Sequence, residues 1–385
     1  MTEYIKNDFS KDIILGKLPD VFMFDDGTRV KTEEDWRRRR QEIIDTAVEL
    51  EFGGMPPIPE RFELETMQLR GGIHSYRIHI YEGQHHFTFP MQIYVPKEGF
   101  DREKKHPILL CGDGCYVYCN DEVVKEAHKR GWLVAKFNRV ELAHDIPGNP
   151  SRDHGVYQLW PDMHFSAISV WAWGYHRCID AFEQIPFCDE TQVAITGHSR
   201  GGKTTMLAGA TDERIAYINP NNSGTHGCGC WRYIMIDPEG QRGQQRSEIL
   251  ADFKSTWGYW YGPKMRDYIY KDERLPHDAH FFKALCAPRH FIETNGYEDV
   301  AGNPRGSYQS YLAAKEVYKF LGAEENIVAH YRDGGHDHGL RDFCTLLDYC
   351  NMIREGKPLT EEYTRHPYPG LEKIYDWEAP ETNEK

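Results

Sequence analysis

The sequence has no stretch that approaches the roughly 18 uncharged apolar residues of a membrane-spanning helix. It has no basic excess either: 60 acidic side chains stand against 46 basic ones, and the charge of −14 is spread along the chain rather than gathered in a block. Such a surface repels nucleic acid and anionic membranes, so neither is an expected partner. None of the ten cysteines forms a Cys-x-x-Cys pair, which removes the usual signatures of zinc and redox sites. A chain of 385 residues, 40% hydrophobic, buries enough core to need no staples, so reduced thiols are expected rather than a disulfide framework. The opening MTEYIKNDFSKDIILGKLPDVF carries charges throughout and lacks the apolar core of a secretory signal, from which a cytoplasmic location is expected. Internal repeats and low-complexity blocks are absent as well.

What is present falls into two styles. EEDWRRRRQEIIDTAVELEFGG has helical spacing, with Trp36, Ile43, Ile44, Ala47 and Leu50 on one side and a Gly pair at its end. The run Arg37–Arg40 is expected on the solvated face of that helix. From Arg61 to Pro96, RFELETMQL, HSYRIHIYEG and HHFTFPMQIYVP alternate polar and apolar residues, the mark of antiparallel strands. After Lys105 strands alternate with helices. HPILLCGDG, WLVAKFNR, TQVAITG, RIAYINPN, PRHFIETNG and NIVAHYRDGG read as strands; EVVKEAHKRG, MHFSAISVWAWGYHRCIDAFEQI, SYQSYLAAKEVYKFLG and the segment after Leu340 read as helices. This alternation implies an α/β fold with a mostly parallel sheet covered on both faces and an antiparallel edge before it. Around 225–275 the rhythm breaks in aromatic text, STWGYWYGP, read as an insertion over the carboxyl end of the sheet. The expected division is an N-terminal extension with one helix over 1–60 and a catalytic domain over 61–385.

In ITGHSRGGK a strand meets a helix, and Ser199 lies at the junction with Gly197 and Gly201 in Gly-x-Ser-x-Gly positions. Small residues are required there because the turn is tight and strained, and it lifts the serine oxygen above the sheet. Ser199 is therefore the candidate nucleophile, in preference to a phosphate-binding loop. A hydroxyl needs a base to take its proton, and the chain order Ser, acid, His puts that base downstream. YRDGGHDHGL offers His336, directly after Gly-Gly, with His338 as the alternative. In PRHFIETNGYEDVAGNP the loop residue Asp299 is favoured as the acid over Glu298, and Glu293 is expected inside the strand. The acid would hold the imidazole tautomer and stabilise the imidazolium. The oxyanion is expected to meet the backbone N–H of Arg200 and a donor from the CGDGC loop, Gly112 to Gly114. Cys111, Cys115 and Cys119 border that loop, but apolar and aromatic residues separate them and no metal site is expected.

These residues, with LPDVFMFDDGTRVKTEEDWRRRRQEI, WAWGYHRCIDAFEQI, GHSRGGKTTMLAGATDERIAYINPNNSG, CWR and LPHDAHFFKALCAPRHF, resemble the glucuronoyl esterases of carbohydrate esterase family 15 over most of the chain. The resemblance implies an α/β-hydrolase three-layer sandwich and hydrolysis of the ester between a (4-O-methyl)glucuronate carboxyl on xylan and a lignin alcohol. The family signature Gly-Cys-Ser-Arg-x-Gly-Lys falls on Ser199, Arg200 and Lys203, which implies that Arg200 helps hold the oxyanion and Lys203 contacts uronate hydroxyls. Three positions depart from the family. His198 replaces the Cys that in fungal members forms a disulfide beside the catalytic His. PNNSG puts Asn222 where many members carry the catalytic Glu of Pro-Gln-Glu-Ser-Gly, so the acid has to come from elsewhere and Asp299 gains weight. The sugar-stacking Trp of the family is missing from YEDVAGNP, which leaves Trp257 and Trp260, with Tyr259 and Tyr261, as the aromatics to replace it. The expected activity is that of a serine esterase working through an acyl-enzyme, without a cofactor, on a small-molecule or oligosaccharide ester of a carbohydrate acid. An acetyl esterase on the same triad and a non-catalytic carbohydrate-binding homologue are the other readings.

Overall fold

The computed structural model describes residues 8–146, 152–240, 243–253 and 258–381. Its strands are β1 (Ile13–Ile14), β2 (Arg61–Arg70), β3 (Ile73–Glu82), β4 (His85–Tyr94), β5 (His106–Cys111), β6 (Leu133–Phe137), β7 (Cys188–His198), β8 (Tyr217–Asn221), β9 (Tyr233–Ile234), β10 (His290–Gly296) and β11 (Ile327–Arg332). The helices are α1 (Glu33–Ile43), α2 (Glu49–Phe52), α3 (Asp121–Lys129), α4 (Ala167–Phe182), α5 (Arg200–Thr211), α6 (Leu250–Phe253), α7 (Ala279–Leu285), α8 (Pro304–Phe320), α9 (Leu340–Arg354) and α10 (Glu361–Thr364).

One sheet of nine strands runs in the order β11-β10-β8-β7-β5-β6-β4-β3-β2. From β11 to β6 neighbouring strands are parallel; β4, β3 and β2 then continue antiparallel, as their alternating text predicts. Successive side chains of a strand face opposite layers, and HPILLC shows the consequence. Ile108 and Leu110 join the core with Trp171 of α4 and Leu207 of α5. Leu109 and Cys111 pack with Val123 of α3 and Leu346 of α9 on the other face. With both faces covered, a central strand has to be largely apolar, and the sheet with its two helical faces forms a three-layer sandwich. The chain leaves β5 for β6 on one side and returns to β7 on the other. That reversal opens a crevice at the carboxyl ends, where ligands of such sheets bind.

α1 starts with a capping box, in which Thr32 Oγ1 accepts the Asp35 N–H at 3.1 Å and Asp35 Oδ2 accepts the Thr32 N–H at 3.2 Å. The helix runs on through a π turn, Ile44–Val48, into α2 and stops at Gly53, whose φ of 74° suits a helix C-terminus. Trp36, Ile43, Ala47 and Phe52 enter the same core as the sheet, so the described part of the N-terminal extension packs as part of the main body. The arginine run divides, against the expectation of one solvated face. Arg37 and Arg38 are exposed and pair with Glu34 and Asp35. Arg39, one turn from Trp36 and one from Ile43, is 4% exposed and donates from Nε to the Val21 carbonyl at 3.1 Å. Arg40 reaches the Ala210 carbonyl at 3.2 Å.

β1 pairs antiparallel with β9 and ties the N-terminal segment to the insertion. Phe253, Trp260 and Tyr261 of that insertion are buried around His226, while Gln244, Glu248 and Trp260 border the crevice. The ten cysteines are free thiols, buried except for Cys115 and Cys344, which are partly exposed. No described helix is long and apolar enough to cross a membrane.

Candidate active site

β7 ends at His198 and α5 begins at Arg200, so Ser199 alone makes the turn, at φ 57° and ψ −119°. This is strained backbone for a residue with a side chain. The flanking glycines leave room for it: a Cβ at Gly197 would lie 2.5 Å from the Gly201 carbonyl oxygen, and one at Gly201 would lie 2.3 Å from Asp113 Oδ1. The Ser199 N–H donates to the Asn221 carbonyl at 3.0 Å and the His198 N–H to Asp113 Oδ2 at 2.8 Å. Asp113 is itself paired with Arg139, Nε to Oδ1 at 2.9 Å, and both side chains are fully buried.

The letters from Gly197 to Thr204 also satisfy the Gly-x-x-x-x-Gly-Lys-Thr spacing of a phosphate loop. The conformation is a different one. A single residue joins strand to helix, and Lys203 turns inward, its Nζ donating to the Ser223 carbonyl and, at 2.8 Å, to the Thr225 carbonyl. Burial lowers the Lys203 pKa to about 8.

Past the end of β10, Asp299 Oδ2 accepts the Nδ1–H of His336 at 2.8 Å and an Nδ2–H of Asn222 at 3.1 Å. Its Oδ1 accepts the Gly302 N–H at 3.2 Å. An acceptor at Nδ1 places the His336 proton there and leaves Nε2 as the basic nitrogen. Ser199, Arg200, Lys203, Glu248, Trp260, Asp299 and His336 line one cavity of about 240 Å³.

The alternatives do not reach this arrangement. Glu293 lies within β10 as expected, fully buried, paired with Lys283 and accepting the Tyr331 hydroxyl at 2.9 Å. Glu298 braces the histidine loop by accepting the Gly334 N–H at 3.1 Å. His338 is buried and stacked on Phe343 at 4.1 Å between ring centroids, and neither ring nitrogen has a hydrogen-bond partner among the described residues. His198 packs 4.5 Å from His336, centroid to centroid, with Nδ1 2.7 Å from Asn221 Oδ1. Burial and the neighbouring His336 lower its pKa to about 4, so it is neutral near pH 7.

Gly112 as an oxyanion donor is corrected. Its N–H donates to the Tyr175 hydroxyl at 2.9 Å, and that hydroxyl donates to the Thr196 carbonyl at 2.9 Å. The Gly114 N–H is likewise used, by the Phe137 carbonyl at 3.1 Å. Arg200 is the first residue of α5 and lines the cavity. Nη1 of Arg200 donates to Asp145 Oδ2 at 3.0 Å, and the guanidinium lies 5.2 Å from the Trp260 ring centroid. The Tyr259 hydroxyl also donates to Asp145. Trp257 falls outside the described residues.

Glu248 and Gln244 line the cavity although no sequence pattern marks them, because they sit in the irregular insertion. Burial raises the pKa of Glu248. Among the described residues no group of three or more His, Cys, Asp or Glu side chains is arranged to hold a metal ion.

The sequence model described as "Glucuronyl esterase, fungi" matches residues 78–322. A 4-O-methyl-glucuronoyl methylesterase of Schizophyllum commune (strain H4-8) is 30% identical over 382 residues, which cover 95% of this chain and 91% of the relative. A carbohydrate esterase family 15 glucuronoyl esterase from Caldicellulosiruptor kristjansonii superposes with a TM-score of 0.85 at 28% identity, over 97% of this chain and all of that one. A glucuronoyl esterase from Sporotrichum thermophile, solved in complex with methyl 4-O-methyl-beta-D-glucopyranuronate, shares the fold with a TM-score of 0.71 at 23% identity over 90% of each chain. By the span of these matches, this chain belongs to the glucuronyl esterase family.

Proposed function

We propose that the chain hydrolyses esters of the (4-O-methyl)glucuronate carboxyl group through an acyl-enzyme on Ser199. The observation that carries this reading is the 2.8 Å contact between His336 Nδ1 and Asp299 Oδ2, in the cavity that also holds Ser199 and the buried Lys203. Nε2 of His336 takes the hydroxyl proton as Ser199 Oγ attacks the ester carbonyl carbon. The oxygen that becomes negative is met by the N–H of Arg200 at the positive end of α5, reinforced by the guanidinium. Collapse breaks the bond to the alcohol, which leaves with the proton from Nε2. Water then gives a proton to Nε2, attacks the acyl carbon and releases the uronate, returning Oγ to its hydroxyl. Asp299, held in place by Asn222 and the Gly302 N–H, keeps the imidazole oriented and stabilises the imidazolium.

The sugar hydroxyls meet Lys203 and Glu248. An ammonium has three N–H donors, and two are used by the Ser223 and Thr225 carbonyls, so one is left for a hydroxyl in the cavity. Glu248 supplies acceptors on the insertion side. Matched rates of methanol release from a methyl glucuronate ester and of acetate release from an acetylated xylo-oligosaccharide test the assignment. The reading expects methanol release to dominate; faster acetate release would make the chain an acetyl esterase on the same residues.

A further inference from the structure

We propose that Asn222 is a positioning residue that locks Asp299 and His336 into their reactive geometry. The inference rests on the assignment of those two residues to acid and base. Asn222 follows the last residue of β8, is fully buried and holds a φ of 39°, in the left-handed region that asparagine tolerates better than most side chains. Its own N–H donates to the Thr294 carbonyl at 2.8 Å, which pins the residue to β10. Both amide N–H groups and the carbonyl oxygen of the side chain then engage the end of β10 and the loops that carry the acid and the base. Nδ2 donates to Asp299 Oδ2 at 3.1 Å and to the Gly335 carbonyl at 3.0 Å, while Oδ1 accepts the Gly296 N–H at 3.1 Å.

Gly335 directly precedes His336, and Gly296 lies three residues before Asp299. One amide therefore joins the carboxyl ends of β8, β10 and β11 at the point where their loops meet. Asp299 Oδ2 receives both the imidazole N–H and an amide N–H, so the carboxylate is aimed from two sides. A carboxylate at 222 would put like charges about 3 Å apart and force one of them to take a proton. The amide has the same shape and the opposite effect, so it supports an acid at 299 where a second carboxylate would compete with it.

Asn222→Asp and Asn222→Ala separate positioning from packing. Asp keeps the volume and the acceptor for the Gly296 N–H, and loses only the donors, so a packing role ranks activity as wild type, then Asp, then Ala. A positioning role reverses the two variants. The Ala protein should lose about 10²-fold in kcat, the scale of a roughly 1 Å misplacement, with KM little changed. The Asp protein should lose more, because its carboxylate turns acceptors towards Asp299 Oδ2 and the Gly335 carbonyl where the amide donates. The wild-type proton spectrum should contain a far-downfield resonance from the His336 Nδ1–H that is lost in the Ala protein. If the Asp protein does not fold, the Ala protein decides through its kcat against KM split and this resonance. An Asp protein more active than the Ala one, or an Ala protein with wild-type kcat and an intact resonance, overturns the proposal. Failure of the wild type to hydrolyse any uronate ester would refute the assigned reaction instead, and the resonance would still report on the clamp.

Discussion

Replacing Asp113 with Asn should both destabilise the protein and slow it, for one physical reason. Asp113 is 2% exposed and carries two separate acceptors, Oδ1 for Arg139 Nε at 2.9 Å and Oδ2 for the His198 N–H at 2.8 Å. An amide of the same shape serves one of these donors and turns its own N–H group against the other. The charge of Arg139, whose side chain is fully buried, is then left with Asp145 at 3.4 Å and the face of Trp171 at 4.1 Å. Removing one partner of a buried ion pair costs about 3–5 kcal/mol. An unfolding entropy of about 2.1 cal/mol/K per residue over 385 residues gives ~0.8 kcal/mol/K, so Tm should fall by about 4–6 °C. Because His198 directly precedes the strained Ser199, kcat should also fall by at least about tenfold. Thermal unfolding followed by circular dichroism, together with ester kinetics at a temperature where both proteins are folded, measures the two effects. Asp113→Asn combined with Arg139→Met should recover part of the lost Tm, since an unpaired buried charge is what destabilises the single variant. A Tm within about 1 °C of wild type would refute the idea that this pair holds the turn.

Other consequences are separable. His336→Ala should lower kcat by at least about 10⁴-fold; His338→Phe, which keeps the stack on Phe343, should stay within about threefold of wild type, and the reverse ranking would exchange their roles. Lys203→Met should raise KM for a methyl glucuronate ester by about 10- to 100-fold, the worth of a hydrogen bond from a charged group, while turnover of 4-nitrophenyl acetate changes little. Acid should destabilise the fold through its buried histidines. Burial depresses His176 and His198 to about 4 and His226 and His280 to about 3, below the unfolded value of 6.5. Between those limits the unfolded chain binds more protons than the native one, so stability falls as pH drops from 6.5 towards 4. A urea midpoint constant across that window would contradict the neutral, buried state of these rings.

Much of the architecture is legible because local pattern and tertiary environment agree. PILLC of β5 is apolar throughout since both its faces are covered, and β3 alternates since it belongs to the antiparallel edge. Asp299 and His336 stand out as polar residues just past the ends of β10 and β11, where a side chain projects into the crevice. What the pattern hides depends on distant partners. Nothing near Gly112 signals that Tyr175, 63 residues away, takes its N–H. Arg39 reads as one of four solvated charges until the Val21 carbonyl is placed beside it. The spacing Gly197–Thr204 fits two unrelated turns, and only the length of the loop and the direction of Lys203 tell them apart. Glu248 carries no periodic signal because it lies in irregular chain between the two-residue β9 and the single turn of α6.

Methanol release from methyl 4-O-methylglucuronate by the wild type and by Ser199→Ala reads out the acyl-enzyme on Ser199. Turnover by the wild type, with a loss of at least about 10³-fold in the folded Ser199→Ala protein, is the predicted result. Equal rates for the two proteins would contradict an acyl-enzyme on Ser199.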